Sequence, residues 1–261
     1  MNTHARPRVA VEKFSSCDGC QLALLCLGDD LLALAGAVDI AYFLEARSRM
    51  EPGPYDLTLV EGSIATEDDA VRIRQVRAET KTLVAIGACA TSGGIQALRN
   101  WMSLEECTGS VYASPEHLDA LATSTPVSDH VQVDFELSGC PVDRHQLLEV
   151  IASLLKGRIP RLPSHSVCIE CKRKGVSCVI VTRDLPCLGP VTRAGCNALC
   201  PTYDRACYGC FGPSDLSRAE RLAEVLRGRR HSAADLERNL KGISGWAAPF
   251  REAAQKIGRT V

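Results

Sequence analysis

The residues of this chain that could do chemistry are its cysteines. There are 14, at positions 17, 20, 26, 89, 107, 140, 168, 171, 178, 187, 196, 200, 207 and 210 of 261. A thiolate is a soft ligand, so this density points to zinc or iron–sulfur clusters in a reduced compartment and to disulfides in a secreted protein. Residues 1–8 carry neither an apolar signal core nor a twin-arginine pair. Export is therefore not expected, a cytoplasmic location is, and metal ligation becomes the primary reading.

The elements around the first cysteines say how such distant residues meet. Residues 8–14 read as a strand that runs through Ser15 and Ser16 into Cys17, and residues 21–34 as a helix. Residues 38–44 and 55–62 read as strands, and 67–79 as an amphipathic helix with Ala70, Ile73 and Val76 on one face. Residues 82–86 form an apolar strand ending at Gly87-Ala88-Cys89, and residues 131–137 a strand ending at Ser138-Gly139-Cys140, before a helix over 143–155. Strands spaced by helices predict an α/β fold, a flavodoxin-like doubly wound parallel sheet. Cys17, Cys20, Cys89 and Cys140 then all lie just beyond strand carboxyl ends, the edge where open parallel sheets bind ligands. The helix starting near Gly19 is expected to aim free N–H groups there, favouring an anionic guest. Glu61, ending the third strand on that edge, either caps a turn or carries protons or hydrogen bonds near the guest.

Composition changes near residue 159, at the linker Ile159-Pro160-Arg161-Leu162-Pro163, which predicts domains at 1–158 and 159–261. The second is expected to be a small irregular iron–sulfur domain with a helical C-terminal tail. It holds Cys168, Cys171, Cys178, Cys187, Cys196, Cys200, Cys207 and Cys210, eight thiols that divide into two sets of four. Ser214 or Asp215 is expected to cap a helix to Leu226 with Leu216, Ala219, Leu222, Ala223 and Leu226 as its apolar stripe, and Ser232 to cap another.

Twelve cysteines thus supply three quartets, with Cys26 and Cys107 left over as buried small hydrophobes or idle thiols. Zinc also accepts four thiolates, and a zinc-binding structural protein is the non-redox alternative; but a structural zinc seldom draws ligands from a whole sheet edge. His165, three residues before Cys168, is a competing ligand. His4, His117, His130, His145 and His231 stand alone, and Arg72, Arg74 and Arg77 read as a solvated face. Net charge is -1, so no field draws the chain to nucleic acid, and no apolar stretch is long enough to span a membrane directly. Dinucleotide, P-loop, zinc-protease and hydrolase motifs are absent, and aromatics are only 5%, which leaves no evident nucleotide or flavin site on this chain.

Cys17-Asp-Gly-Cys20, Val60-Glu61-Gly62-Ser63-Ile64, Gly87-Ala88-Cys89-Ala90-Thr91-Ser92-Gly93-Gly94 and Gly139-Cys140-Pro141 resemble the small electron-transfer subunit of nickel–iron hydrogenases. The first domain is also similar to the 20-kDa-type subunit of NADH:quinone oxidoreductase, which has adjacent cysteines where this chain has Cys17-x2-Cys20. The resemblance covers residues 8–213. It implies a proximal 4Fe-4S cluster on Cys17, Cys20, Cys89 and Cys140, facing the nickel–iron site of a large subunit. Cys187-Leu-Gly-Pro-Val-Thr-Arg-Ala-Gly-Cys196 resembles the hydrogenase segment that joins the distal and medial clusters. By that likeness Cys168, Cys171, Cys178 and Cys187 hold a distal 4Fe-4S cluster, and Cys196, Cys200, Cys207 and Cys210 a medial one. All-cysteine ligation resembles the cytoplasmic group of these enzymes.

The expectation is therefore the small subunit of a cytoplasmic nickel–iron hydrogenase, an oxidoreductase component with no complete active site of its own. It would relay electrons through three 4Fe-4S clusters between the large subunit and a partner, either a diaphorase-type flavin and iron–sulfur subunit or a heterodisulfide reductase. Nickel–iron site and flavin would lie on those partners. The alternative within redox chemistry is the electron-transfer subunit of a nickel-free quinone-reductase-like complex.

Overall fold

Consecutive apolar residues, buried on both faces, build the central strands of the sheet. In the structure, a computed structural model that describes residues 6–229 and 231–259, the strands are β1 (Arg8–Lys13), β2 (Asp39–Phe43), β3 (Tyr55–Glu61), β4 (Thr80–Ile86) and β5 (Phe135–Leu137). All pair in parallel, in the order β2-β1-β3-β4-β5. That is the flavodoxin-like order expected from the sequence.

Along β1, β3 and β4 the side chains alternate between two cores. Val9, Val11, Leu57, Leu59, Val84 and Ile86 pack against α1 (Gly19–Leu25), α2 (Asp29–Ala37) and α6 (Arg144–Leu155). Phe14, Val60, Leu83 and Ala85 pack with Ala70, Ile73 and Val76 of α3 (Glu67–Ala78). Each fully buried Leu or Ile contributes roughly 1.5–3 kcal/mol of transfer free energy. Helix starts are fixed chemically: Thr66 caps α3 through Asp69 N, and Asp143 caps α6 through His145 N and Gln146 N. Between β4 and β5 lie α4 (Gly87–Ser92) and α5 (Leu104–Val111), the latter opened by a Ser103–Glu106 capping box.

The cysteine-rich region contains α7 (Val167–Lys174), α8 (Val179–Arg183) and α9 (Leu199–Thr202), around a small core of Val167, Val179, Cys187, Ala198 and Cys207. Helices α10 (Ala219–Gly228), α11 (Ala233–Leu240) and α12 (Ala248–Gly258) bury Ala223, Leu226, Leu236, Leu240, Phe250 and Ile257 against Leu188 and Val191. The tail therefore braces the loop that carries Cys187.

Several sequence expectations need correction. The helix drawn over 21–34 is two helices, broken at Cys26 and at Gly28, whose φ of 62° and ψ of -127° leave the helical region. Asp29 and Asp30 are the favourable acidic first turn of α2. Cys26 closes α1 and is exposed rather than buried, while Cys107 lies inside α5. Only Phe135–Leu137 of the strand drawn over 131–137 pairs with β4, because Val131 N bonds back to Val127 O in a turn. Neither Ser214 nor Asp215 caps α10: Ser214 N bonds to Val191 O, Arg218 holds the cap position, and Leu216 is 89% exposed. Ser232 does cap α11, through Asp235 N. Arg72 reaches back to Glu12 and Lys13 O and stacks on Phe14, and Arg77 binds Asp134, so these two arginines tie α3 to the sheet rather than decorate a solvated face. His4 lies outside the described residues. Among those residues no single helix is long and apolar enough to cross a membrane; α1 and α2 reach that length and composition together but meet at 87°.

Candidate iron–sulfur sites

The carboxyl edge of the sheet gathers the first quartet. β1 runs through Ser15 and Ser16 to Cys17 and to Cys20 in the first turn of α1, β4 runs into α4 with Cys89, and β5 ends three residues before Cys140. Their proximity shows in mutual electrostatics. The Cys89 thiol, pushed up to about 11 chiefly by burial, also feels Cys140, Cys17 and Glu61. The Cys20 thiol is raised by burial, then by Glu61 and Cys89, and the Cys140 thiol by burial, Cys17 and Glu61.

Two glycines let the sulfurs sit where they do. At Gly87, φ +86°, a Cβ would lie 2.5 Å from Cys20 Sγ; at Gly94, φ +62°, it would lie 2.5 Å from Cys89 Sγ. The backbone curls around sulfur positions that any side chain would fill. Glu61, 2% exposed, accepts from Cys20 N at 2.9 Å and from Gln21 Nε2 at 2.8 Å. This corrects the expectation that the start of α1 offers only free N–H groups: the Cys20 amide is held by Glu61, so the carboxylate anchors the ligand-bearing turn. Gln96, not among the residues the sequence singles out, accepts from Cys89 Sγ at 3.4 Å and donates to Ser15 O at 2.6 Å. Its only sequence signal is a position just beyond Gly93-Gly94.

In the cysteine-rich region, Cys168 is pushed up to about 11 by burial and then by Cys187, Cys171 and Cys178, which groups the expected distal quartet. Cys187 Sγ accepts from Cys207 N at 3.1 Å and Gly189 N at 3.4 Å. Cys210, pushed up to about 12 by burial, feels Cys196, Cys140 and Cys200, and Cys207 feels Cys187 and Cys210. A cavity of about 230 Å³ is lined by Cys196, Cys200, Cys207 and Cys210 together with Cys140 and Phe211. The expected medial quartet thus borders the proximal one through Cys140 and the distal one through Cys187. Glu170, also without a sequence signal, reaches from α7 to Gly195 N at 2.8 Å and Ala198 N at 2.9 Å.

All 14 cysteines are free thiols. His165 Nδ1 lies 3.2 Å from Ser166 O, a contact that occupies one ring nitrogen locally. Among the described residues no three His, Cys, Asp or Glu side chains form a single-ion site. One zinc needs its sulfurs about 2.3 Å from a common point. A four-iron cage binds each thiolate to a separate iron, so its four sulfurs stand farther apart than around a single ion. Soft donors, the glycine cradles at Cys20 and Cys89 and the N–H donors to Cys187 Sγ fit iron–sulfur ligation.

The profile of the NADH ubiquinone oxidoreductase 20 kDa subunit matches residues 17–154. Sulfhydrogenase 2 subunit delta of Pyrococcus furiosus is 37% identical over 220 residues, 84% of this chain and 92% of that protein. A subunit of the F420-non-reducing hydrogenase vhu of Methanocaldococcus jannaschii is 31% identical over 273 aligned positions, 93% of this chain and 95% of that protein. A chain in the crystal structure of an NAD+-reducing [NiFe]-hydrogenase in the H2-reduced state superposes with a TM-score of 0.55 at 28% identity, over 60% of this chain and 96% of that one.

Proposed function

Given that the chain belongs to the family of the 20 kDa NADH ubiquinone oxidoreductase subunit and, within it, to the hydrogenase small subunits, we propose that it relays electrons through three 4Fe-4S clusters. The relay joins a nickel–iron large subunit to a flavin- or nucleotide-linked partner, in a cytoplasmic complex. Residues 1–158 carry the proximal site and 159–261 the medial and distal sites. The observation that carries this reading is that the quartets adjoin in turn. Cys140 of the first lines one cavity with Cys196, Cys200, Cys207 and Cys210 of the second, whose Cys207 N–H binds Cys187 Sγ of the third.

Bound clusters supply centres that accept and return one electron at a time. The rest is work for this chain's residues. Burial holds Cys20, Cys89, Cys207 and Cys210 as thiols when free, so ligation must release protons and loading becomes pH-dependent. Amides of Cys207 and Gly189 aimed at Cys187 Sγ offset the negative charge gathered there. Val167, Val179 and Ala198, each at most 2% exposed, pack around Cys187 and Cys207 and keep water from those two sulfurs. Glu61 fixes the turn bearing Cys17 and Cys20 against β3 through the Cys20 amide and Gln21.

The test is iron and acid-labile sulfide analysis of the purified complex. Three four-iron clusters require about twelve of each per chain. Zinc without sulfide overturns the relay.

A further inference from the structure

Glu170 stands between two expected distal ligands, Cys168 and Cys171, yet its carboxylate is spent elsewhere. Oε1 accepts from Gly195 N at 2.8 Å and Oε2 from Ala198 N at 2.9 Å, amides that bracket Cys196 of the expected medial quartet. Oε2 is also 3.9 Å from Cys196 Sγ. Ala198 N–H stands two residues after Cys196, the same offset from which Gly189 N–H donates to Cys187 Sγ, but here it goes to Glu170. The carboxylate therefore does two things at once. It fixes the loop carrying Cys196 to the helix carrying Cys168 and Cys171, and it places a negative charge beside one medial sulfur while drawing off an amide that would soften that sulfur's charge.

We infer that Glu170 is a positioning residue that sets the reduction potential of the medial site, holding it lower than its ligands alone would and coupling its loop to the distal helix. The inference rests on the medial assignment of Cys196, Cys200, Cys207 and Cys210 made above. Nearby charge and N–H donation to sulfur are the protein's main controls on such a centre. Glu170 acts on both controls at Cys196, its Oε2 lying 3.9 Å from Sγ and holding the Ala198 amide. The medial site is thus the one it governs.

The experiment is an EPR-monitored redox titration of the purified complex with wild-type, Glu170→Gln and Glu170→Asp chains. A unit charge within about 12 Å of the added electron changes the oxidised-to-reduced ratio by about tenfold or more at an effective dielectric of about 20, and tenfold for one electron is about 59 mV. Glu170→Gln is expected to raise the medial potential by at least that amount, move the distal couple less and leave the proximal couple in place. Glu170→Asp keeps the charge and is expected to keep the wild-type ratio. Medial loading in Asp but not in Gln also supports the inference, since the anion is then what the amides require. A loaded medial site with unmoved potential in Glu170→Gln, equal shifts in both variants, or loss of the medial site in both overturns it. Absence of a medial signal in the wild-type complex would instead overturn the ligand assignment on which it rests.

Discussion

Replacing Gly87 by alanine tests the cradle around the first quartet, because the structure separates its effect on folding from its effect on loading. Gly87 has φ +86°, where an L-residue costs about 1–2 kcal/mol. That is tolerable for a domain with this much buried apolar area. The new Cβ, however, would lie 2.5 Å from Cys20 Sγ. Ordinary contact needs about 3.5 Å or more, so the sulfur must retreat by about 1 Å. Metal–ligand distances tolerate about 0.2 Å. The displacement exceeds that several-fold, and the expected outcome is a folded chain that loses its proximal cluster. Iron and sulfide should fall by about four of about twelve per chain, with the other two clusters' EPR signals retained. Gly36→Ala is the control: Gly36 lies in α2 with nothing within 4 Å of its Cβ position, so full loading and a gain of about 0.5–1 kcal/mol are expected. A Gly87→Ala complex with undiminished iron and an unaltered proximal signal would refute the reasoning.

Two other perturbations follow from the same fold. Burial pushes Glu12 from the ordinary 4.5 up to about 7 against the opposing pull of Arg72. The folded state therefore holds the proton more tightly than the unfolded one, and stability falls as pH rises between those values, by roughly 3 kcal/mol in all. Glu12→Gln lacks this loss, so its thermal midpoint should rise relative to wild type between about pH 5 and pH 8; an advantage that shrinks over that range contradicts the assignment. At the start of α6, Asp143→Ala leaves His145 N and Gln146 N without their acceptor and should cost about 1 kcal/mol, mostly recovered by Asn in the same denaturation assay.

What is legible in the chain follows from how local each signal is. Apolar strands that run within a few residues into a cysteine, as β1 does at Cys17 and β4 at Cys89, disclose both the sheet and the edge on which Cys17, Cys20, Cys89 and Cys140 meet. Ser232 acts within three residues of itself and reads directly from the sequence, whereas Asp143, read as the first residue of its helix, is in fact its cap. The break at Gly28 is open to reading from Gly28-Asp29-Asp30, but the apolar residues resuming at Leu31 make one helix look continuous, and the positive φ is a backbone property. Leu216 fits the helical stripe of α10, but Ser214 is held by Val191 O, and that tie delays the helix to Ala219. Glu170 and Gln96 are invisible for another reason. Their partners lie 25 and 81 residues away, and only folding brings such pairs into register.

The spread of the first quartet also orders biogenesis. Strands β2, β3, β4 and β5 all lie between Cys17 and Cys140, so this cage cannot be closed until nearly the whole α/β layer has left the ribosome. The eight later thiols, by contrast, lie between Cys168 and Cys210 on loops close in sequence, where short closures are entropically cheap. Iron delivery to a nascent chain would thus find its last-synthesised ligands the quickest to assemble, and the first quartet the one that certifies a finished fold.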